Sequence, residues 1–268
     1  MRQFILSIAP YLMLASLPVP SAAPAAAVHG AIEAAVADPA RSPQNVARDR
    51  YRHPVQTLRF FDVRPDQTIV EYNPGGGWYA EILAPMLKAK GHYVALVPDR
   101  PEAREAAAAM LAKGGDRFGK TELTTVDFAT GATTMVPGSV DRVLTFRNVH
   151  NLLMIDAATA ERVFAAFYAA LKPGGILGVV DHRMPESFNT AREKSSGYVK
   201  RSTVIHLAKS AGFKLVGESP VNANPKDTHD WPDGVWTLPP TLKLGDKDRE
   251  RYLAIGESDR MTLRFMKP

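Results

Sequence analysis

The sequence predicts a doubly wound α/β fold with a seven-stranded, mostly parallel sheet. Three observations lead to this prediction. Short apolar runs that suit buried strands alternate with segments that suit helices. Strands separated by helices require right-handed crossovers, which produce a parallel sheet covered on both faces. The last two strands have no strong helix between them, so we expect an antiparallel strand at one edge of the sheet.

The elements follow one another in a regular order. A short N-terminal helical extension comes first, with a helix over 31–37 and one or two helices over 43–61 that break at Pro54. The predicted strands cover 68–72, 93–97, 123–127, 140–146, 176–180, 214–218 and 261–266. The predicted helices between them cover 78–89, 101–113, 157–171 and 203–210, and glycine or proline follows the second and third of these.

A long loop over 219–247 remains between the last two predicted strands. It contains five prolines and two tryptophans, Trp231 and Trp236. Loops of this length are usually functional or disordered, and the aromatic residues favour packing over another part of the molecule. The tryptophans are therefore candidates for an apolar lid, with plain packing anchors as the alternative.

The first 27 residues predict a cleavable signal peptide. An apolar run from Phe4 to Leu17 follows one cation, and small residues precede the predicted cleavage site after Ala27. An uncleaved membrane anchor is the alternative, but the run is short for a bilayer span and Pro10 interrupts it. The predicted organisation is a signal peptide over 1–27, a helical extension over 28–66 and one large domain over 67–268.

The amino-acid composition excludes several classes of protein and types of site. A chain of 268 residues with 45% hydrophobic and 23% charged residues has the composition of a globular protein. The excess of five positive charges comes without a dense block of Lys and Arg, so nucleic acid is not an expected partner. The absence of cysteine excludes disulfides, thiolate metal sites, a cysteine nucleophile and a lipoprotein anchor.

A glycine-rich turn joins the first predicted strand to the next helix. It runs from Glu71 to Gly77 as Glu-Tyr-Asn-Pro-Gly-Gly-Gly. Glycines at such a place let the backbone approach a ligand closely, at the positive end of a helix dipole. The spacing of Gly75, Gly77 and Ala80 also satisfies G-x-G-x-x-A, so a nicotinamide dinucleotide is one candidate ligand. A tight turn with no ligand is the competing interpretation.

Further motifs follow the other strands. They are Arg-His-Pro at 52–54, Trp-Tyr at 78–79 with Glu-Ile-Leu-Ala-Pro at 81–85, Asn-Val-His at 148–150, Leu-Lys-Pro-Gly-Gly at 171–175 and Asp-Gly-Val-Trp at 233–236. Through these motifs and the glycine turn, residues 48–268 resemble the class I S-adenosylmethionine-dependent methyltransferases. The resemblance is strongest to the signal-peptide-bearing members of Gram-negative bacteria. It implies a Rossmann-like fold, a periplasmic location without a stable membrane anchor, and methyl transfer to a small or medium-sized acceptor.

The resemblance also implies a set of cofactor-binding residues at successive strand ends. They are Glu71, Asn73, Gly75, Gly76, Gly77, Asp99 and Asp127. Asn73 stands where the family usually has its first glycine, and Asn tolerates a positive φ better than most residues. Val97 stands where the family has an acid for the ribose hydroxyls, with Asp99 two residues later. Asp127 matches the position that contacts the adenine amine.

Methyl transfer from a sulfonium is an in-line displacement, so the protein mainly positions the acceptor and removes its proton. The residues that could position and deprotonate the acceptor follow the fourth and fifth predicted strands. His150 is the predicted general base, and Asn148 and Asp181 are further candidate catalytic residues. A helix-capping role for His150 is the competing interpretation. Asp181 and His182 could also join a divalent metal site, but their spacing does not indicate one and no metal is predicted.

Two other functions remain open on the sequence. The G-x-G-x-x-A spacing suits a nicotinamide-dependent oxidoreductase. Asn73 and Val97 instead favour an exported binding protein that kept the fold and lost the chemistry. The methyl acceptor is not indicated, because a fold and a cofactor loop do not determine it.

Overall fold

The computed structural model describes residues 25–268. The predicted signal peptide therefore falls almost entirely outside the described residues, and its cleavage stays a prediction. Helix α1 begins at Ala25, close to the predicted cleavage site. Within the described part of the chain, no helix combines the length and apolar character needed to cross a bilayer.

The described residues alternate between strands and helices as the sequence predicts. In chain order the strands are β1 (Thr68–Tyr72), β2 (His92–Pro98), β3 (Thr121–Val126), β4 (Val140–Phe146), β5 (Leu171–Met184), β6 (Val199–Lys200), β7 (Lys214–Ser219) and β8 (Arg260–Met266). The helices are α1 (Ala25–Val36), α2 (Pro43–Val46), α3 (Asp49–Arg52), α4 (Pro54–Phe60), α5 (Ala80–Leu87), α6 (Pro101–Gly114), α7 (Val149–Ile155), α8 (Ala157–Ala170), α9 (Arg201–Ser210) and α10 (Arg249–Ile255).

The sheet has the strand order β3-β2-β1-β4-β5-β8-β7. The first five strands of this order are parallel. Strand β8 runs antiparallel to both of its neighbours and lies between β5 and the edge strand β7. These seven strands confirm the predicted sheet and its antiparallel edge pairing. The two-residue strand β6, which the sequence did not predict, pairs with the end of β5.

Several boundaries differ from those predicted. Residues 43–61 form three short helices; the break before Pro54 is the predicted one, where His53 adopts a left-handed conformation, and the break between α2 and α3 was not predicted. The residue before a proline is disfavoured in the helical region, which accounts for the break before Pro54. Strand β5 begins at Leu171, which pairs with Val140 across a register shift, and not at Ile176. Helices α7 and α10 lie in segments without a strong helical period and were not predicted.

Hydrophobic residues cover the sheet on both faces. One core cluster packs residues of α8, including Phe164 and Phe167, with Val143 of β4. A second cluster joins Ile32 of α1 and Leu58 of α4 to residues of the sheet and α5. The N-terminal helices therefore share a core with the large domain. A third, smaller cluster forms around the long loop beyond the end of β5.

Candidate functional site

A cavity of about 340 Å³ opens at the carboxyl ends of β1, β4 and β5. From β1 the sheet continues to β2 and β3 on one side and to β4 and β5 on the other, so the topological switch point lies between β1 and β4. Open α/β sheets bind ligands at this switch point. The glycine turn after β1 and the segment after β4 form one side of the cavity. Helix α3, the loop over 235–241 and the residues Glu257 and Ser258 form the rest.

The glycine turn presents bare backbone to this cavity. Asn73 has φ 50° and Gly75 has φ 57°, so the turn needs the left-handed conformation at both positions. The asparagine in place of the family's first glycine is thus accommodated in the manner predicted. A Cβ added at Gly75 or Gly76 would meet no atom within 4 Å, and both residues line the cavity. A side chain at either position would therefore extend into ligand space.

Gly77 plays a different part in the same turn. Its φ is 82°, and an added Cβ would lie 2.9 Å from Cγ of Met110 on α6. It does not line the large cavity. Gly77 therefore permits close packing of the turn against α6, and its predicted contact with the cofactor stays a prediction.

Asn148 fastens the ends of β1 and β4 together. Its Nδ2 lies within 3.2 Å of the carbonyl oxygens of Tyr72, Asn73 and Phe146. Its Oδ1 accepts a hydrogen bond of 3.0 Å from the Asn73 side chain. Both polar atoms of this buried residue are thus engaged within the chain. This arrangement favours positioning of the glycine turn over direct contact with a reacting group.

His150 and Asp181 form a buried pair beside the cavity. Nδ1 of His150 lies 2.8 Å from Oδ1 of Asp181, which is fully buried. The Asp181 carboxylate also accepts hydrogen bonds from the backbone N–H groups of Val149, His150 and His182. The carboxylate is therefore held in place and holds the imidazole in turn. With Nδ1–H donated to Asp181, Nε2 is left as a proton acceptor, and His150 lines the cavity.

The same residues satisfy the distances of a possible metal site. Ligand atoms of His150, Asp181 and His182 lie within 4.8 Å of one another. However, the Asp181 oxygens are already engaged, and Nδ1 of His182 lies 2.5 Å from the hydroxyl of Ser258. Burial, His150 and three nearby arginines hold the pKa of His182 well below its usual value. This positive surrounding potential disfavours a divalent cation.

Glu71, at the end of β1, is buried at the base of the cavity. The hydroxyl of Tyr93 donates a hydrogen bond of 2.7 Å to Oε2 of Glu71. Burial raises the pKa of Glu71 to about 7, although Tyr93 and the charge of Arg52 oppose the rise. The carboxyl group is therefore poised to change its protonation state near neutral pH.

The Glu71→Gln variant is expected to remove a pH-dependent part of the stability. Glu71 titrates near pH 7 in the folded chain and near 4.5 in the unfolded chain. Between these values only the folded state holds the proton, so the stabilisation is complete below pH 4.5 and lost as the pH rises through 7. This difference between the two pKa values corresponds to a pH-dependent contribution of roughly 3 kcal/mol to the free energy of unfolding, at about 1.4 kcal/mol per pKa unit.

Denaturant unfolding of the ligand-free proteins between pH 4.5 and pH 8 measures this effect. The wild-type protein should lose more free energy of unfolding over this range than the Glu71→Gln variant, whose amide still accepts from Tyr93. Glu105→Gln, at an exposed position on α6, is the matched control and should follow the wild type. Parallel pH profiles for the wild type and Glu71→Gln would contradict the prediction.

The arginines of the cavity were not predicted to be functional residues from the sequence. Arg48 immediately precedes α3, Arg52 is its last residue, and Arg147 directly follows β4; all three line the cavity. Arg147 has φ 61°, a left-handed conformation that non-glycine residues rarely adopt and that is concentrated at functional sites. The Arg-His-Pro motif and the unusual Arg147 before Asn148 were the available signals. Only the fold reveals that these arginines meet.

Asp99 and Asp127 lie outside the cavity, at the ends of β2 and β3. Asp99 pairs with the side chain of Arg104. Oδ1 of Asp127 accepts hydrogen bonds from the N–H groups of Ala129 and Thr130, and these bonds hold its pKa below the usual value. Both aspartates continue the same edge of the sheet as the glycine turn. Their roles toward ribose and adenine stay predictions.

The two tryptophans of the long loop differ in placement. Trp236 lines the cavity, with its ring centroid 6.4 Å from that of His150. Trp231 is buried, and its Nε1 donates a hydrogen bond of 2.7 Å to Asp227. Trp236 thus has the position expected of an apolar cover over the site, whereas Trp231 is a packing anchor.

Solved structures show which known proteins share this fold. A S-adenosylmethionine-dependent methyltransferase from Aquifex aeolicus superposes with a TM-score of 0.57 at 15% identity, over 90% of this chain and 98% of its own. One from Methanosarcina mazei gives 0.52 at 12% identity, over 78% and 96%. The cyclase SpnF gives 0.53 at 15% identity, over 86% and 84%. Neither a protein-family model nor a curated protein sequence matches the chain.

At these identities the comparisons establish the fold, which is that of the S-adenosylmethionine-dependent methyltransferases. The presence of a cyclase among the similar structures shows that one fold supports different reactions. The function must therefore be argued from the cavity and its residues.

Proposed function

We propose that the protein is a S-adenosylmethionine-dependent methyltransferase that acts on a small-molecule acceptor. The main support for this proposal is that two features lie at the same cavity. The glycine turn offers open backbone at Gly75 and Gly76, and the His150–Asp181 pair lies beside the same cavity. A turn without side chains suits a bulky cofactor, and a fixed imidazole suits an acceptor that must lose a proton.

The chain's own residues have separate tasks in this reaction. When bound at the glycine turn, S-adenosylmethionine supplies a methyl group whose transfer leaves the electron pair on sulfur, so no residue has to protonate a leaving group. Nε2 of His150 accepts the proton of the acceptor's hydroxyl or amine. Asp181 keeps Nδ1–H of His150 in place and stabilises the imidazolium that forms. Trp236 covers the site and limits the access of water.

A titration of the purified protein tests the cofactor. Trp78 and Trp236 line the cavity, so ligand binding should change the intrinsic tryptophan fluorescence. A saturable change with S-adenosylmethionine, and none with NAD or NADP, is the expected result. A response to the nicotinamide cofactors alone would favour the oxidoreductase. Binding of S-adenosylmethionine without turnover on any acceptor would favour the non-catalytic binding protein.

Export to the periplasm is part of the same proposal and depends on the predicted signal peptide. Its support is the order of a cation, an apolar run and small residues in the first 27 residues. S-adenosylmethionine is made in the cytoplasm, so an exported enzyme must receive it by leakage or transport. Fractionation of cells followed by N-terminal sequencing should find a chain that begins near Val28 in the periplasm. A cytoplasmic chain that retains Met1 would contradict export and leave the proposed reaction in place.

A further inference from the structure

Four arginines gather at one side of the cavity around a single carboxylate. They are Arg48, Arg52 and Arg147, which line the cavity, and Arg260, which does not. Nε of Arg48 lies 2.6 Å from Oε1 of Glu257, and Nε of Arg52 lies 3.3 Å from Oε2. Nη1 of Arg260 lies 3.1 Å from the same Oε2. The buried Glu257 thus forms ion pairs with three arginines, and Arg147 adds a fourth cation nearby.

Much of the hydrogen-bonding capacity of this cluster is unused. Nη2 of Arg48 and Nη2 of Arg52 are buried and have no hydrogen-bond partner among the described residues. The Arg52 side chain is only 4% exposed, so water does not readily replace the missing acceptor. The guanidinium of Arg147 donates no hydrogen bond to any described residue. The unpaired buried donors of Arg48 and Arg52 are costly unless a ligand supplies the acceptors.

The charges of the cluster do not cancel. The acids near the four arginines are Glu257, Asp181 and Glu71. One positive charge is in excess when all three acids are ionised, and two when Glu71 holds its proton. Burial and the neighbouring arginines lower the pKa of Arg147 to about 10, although Glu257 opposes this. A bound anion would relieve the repulsion between these cations.

The cofactor of the proposed function brings a carboxylate of its own but no net negative charge. S-adenosylmethionine carries a sulfonium, an ammonium and one carboxylate, so its net charge is positive. Bound at the glycine turn, it increases the positive charge of the cavity. An anionic second substrate would supply the compensating negative charge.

Beside polar residues such as Asn73, Asn148 and Ser258, the remaining wall of the cavity includes aromatic side chains. They include Trp78, Tyr79, Phe146 and Trp236, and the rings of Tyr79 and Phe146 are stacked with centroids 3.5 Å apart. Pro239 also lines this side. These aromatic side chains suit an acceptor with a planar or apolar part.

We propose that the methyl acceptor is an organic acid whose carboxylate or phosphate is held by Arg48, Arg52 and Arg147. This inference rests on the proposed function and specifies its substrate class. The planar guanidinium groups bind an oxyanion through paired hydrogen bonds. The oxyanion anchors one end of the acceptor, and the hydroxyl or amine to be methylated faces His150.

Calorimetric titrations with benzoate and with inorganic phosphate test the oxyanion site, each with and without saturating S-adenosylmethionine. The wild-type protein should bind at least one of the two anions in the presence of the cofactor. Tighter binding of benzoate indicates a carboxylate-bearing acceptor, and tighter binding of phosphate indicates a phosphate-bearing one. Benzamide has the same shape as benzoate without the charge, and it should bind at least tenfold more weakly.

The Arg147→Gln variant should weaken binding of the anion by roughly 10- to 100-fold, the range for loss of a charge-assisted hydrogen bond. Its fold should persist, because the Arg147 guanidinium makes no hydrogen bond within the described chain. Arg52→Gln provides a second variant, and circular dichroism checks both. Arg50→Gln is the matched control, since Arg50 lies on α3 with Arg52 but is exposed and outside the cavity. It should bind the anion as the wild type does.

Other outcomes would overturn the inference, each in a recognisable way. Absence of binding for both anions, or equal binding of benzamide and benzoate, would contradict an oxyanion site. Displacement of S-adenosylmethionine by the anions would assign the arginines to the carboxylate of the cofactor and not to the acceptor. If S-adenosylmethionine fails to bind while the anions bind normally, the proposed function fails and only the oxyanion site remains.

Discussion

The Gly76→Val variant is expected to fold and to bind S-adenosylmethionine at least 100-fold more weakly than the wild type. Gly76 lines the cavity, its φ is not positive, and an added Cβ would meet no atom within 4 Å. A valine at this position therefore keeps the backbone conformation and places its Cβ without a clash. It occupies space that the cofactor needs, and a 100-fold loss corresponds to about 2.7 kcal/mol of binding free energy.

Fluorescence titration measures this affinity, and circular dichroism with thermal unfolding confirms the fold. Gly30→Val is the matched control, because Gly30 also has open space around it and lies on α1 outside the cavity. It should leave the affinity unchanged. Gly77→Val is unsuitable for this purpose, since its positive φ and the contact with Met110 would destabilise the turn itself. An unchanged affinity in folded Gly76→Val would remove the glycine turn from the cofactor site.

The sequence predicts the sheet well where apolar runs end at clear turn signals. Strands β1 and β4 have the predicted bounds because Thr68–Tyr72 and Val140–Phe146 are apolar segments between polar or glycine-rich ones. The antiparallel pairing of β7 and β8 also follows, since no strong helix separates them along the chain. Helix α7 is less visible, because its seven residues follow β4 directly and show little period of their own.

The candidate site is predictable only in part, for a reason that lies in chain topology. The glycine turn and His150 follow β1 and β4, and Asp181 lies in the last part of the adjacent strand β5, so the fold class alone brings them to one edge of the sheet. The arginine cluster joins residues 48–52 to residues 257–260, about 200 positions apart. That meeting requires both the packing of α3 near the switch point and the insertion of β8 beside β5. No local pattern in the sequence encodes either event.

The His150→Asn variant is expected to lower turnover by roughly 100-fold or more while the affinity for S-adenosylmethionine stays within about twofold of the wild type. Loss of a general base typically reduces rates by about 10²- to 10⁴-fold. His150 lies beside the cavity near Trp236, whereas Gly75 and Gly76 hold the cofactor in the proposed site. The chemical step and cofactor binding should therefore respond separately.

A methyl-transfer assay on an acceptor that the wild-type enzyme methylates measures turnover, and fluorescence titration measures cofactor affinity in the same preparations. His206→Asn, at an exposed position on α9, is the matched control and should retain full activity. Asp181→Asn should also reduce turnover, because the amide cannot both accept the backbone N–H bonds and hold Nδ1–H of His150. Asp181 is fully buried, so this variant must first be shown to fold. If His150→Asn loses cofactor affinity and turnover in equal measure, His150 positions the loop after β4 and another group removes the acceptor's proton.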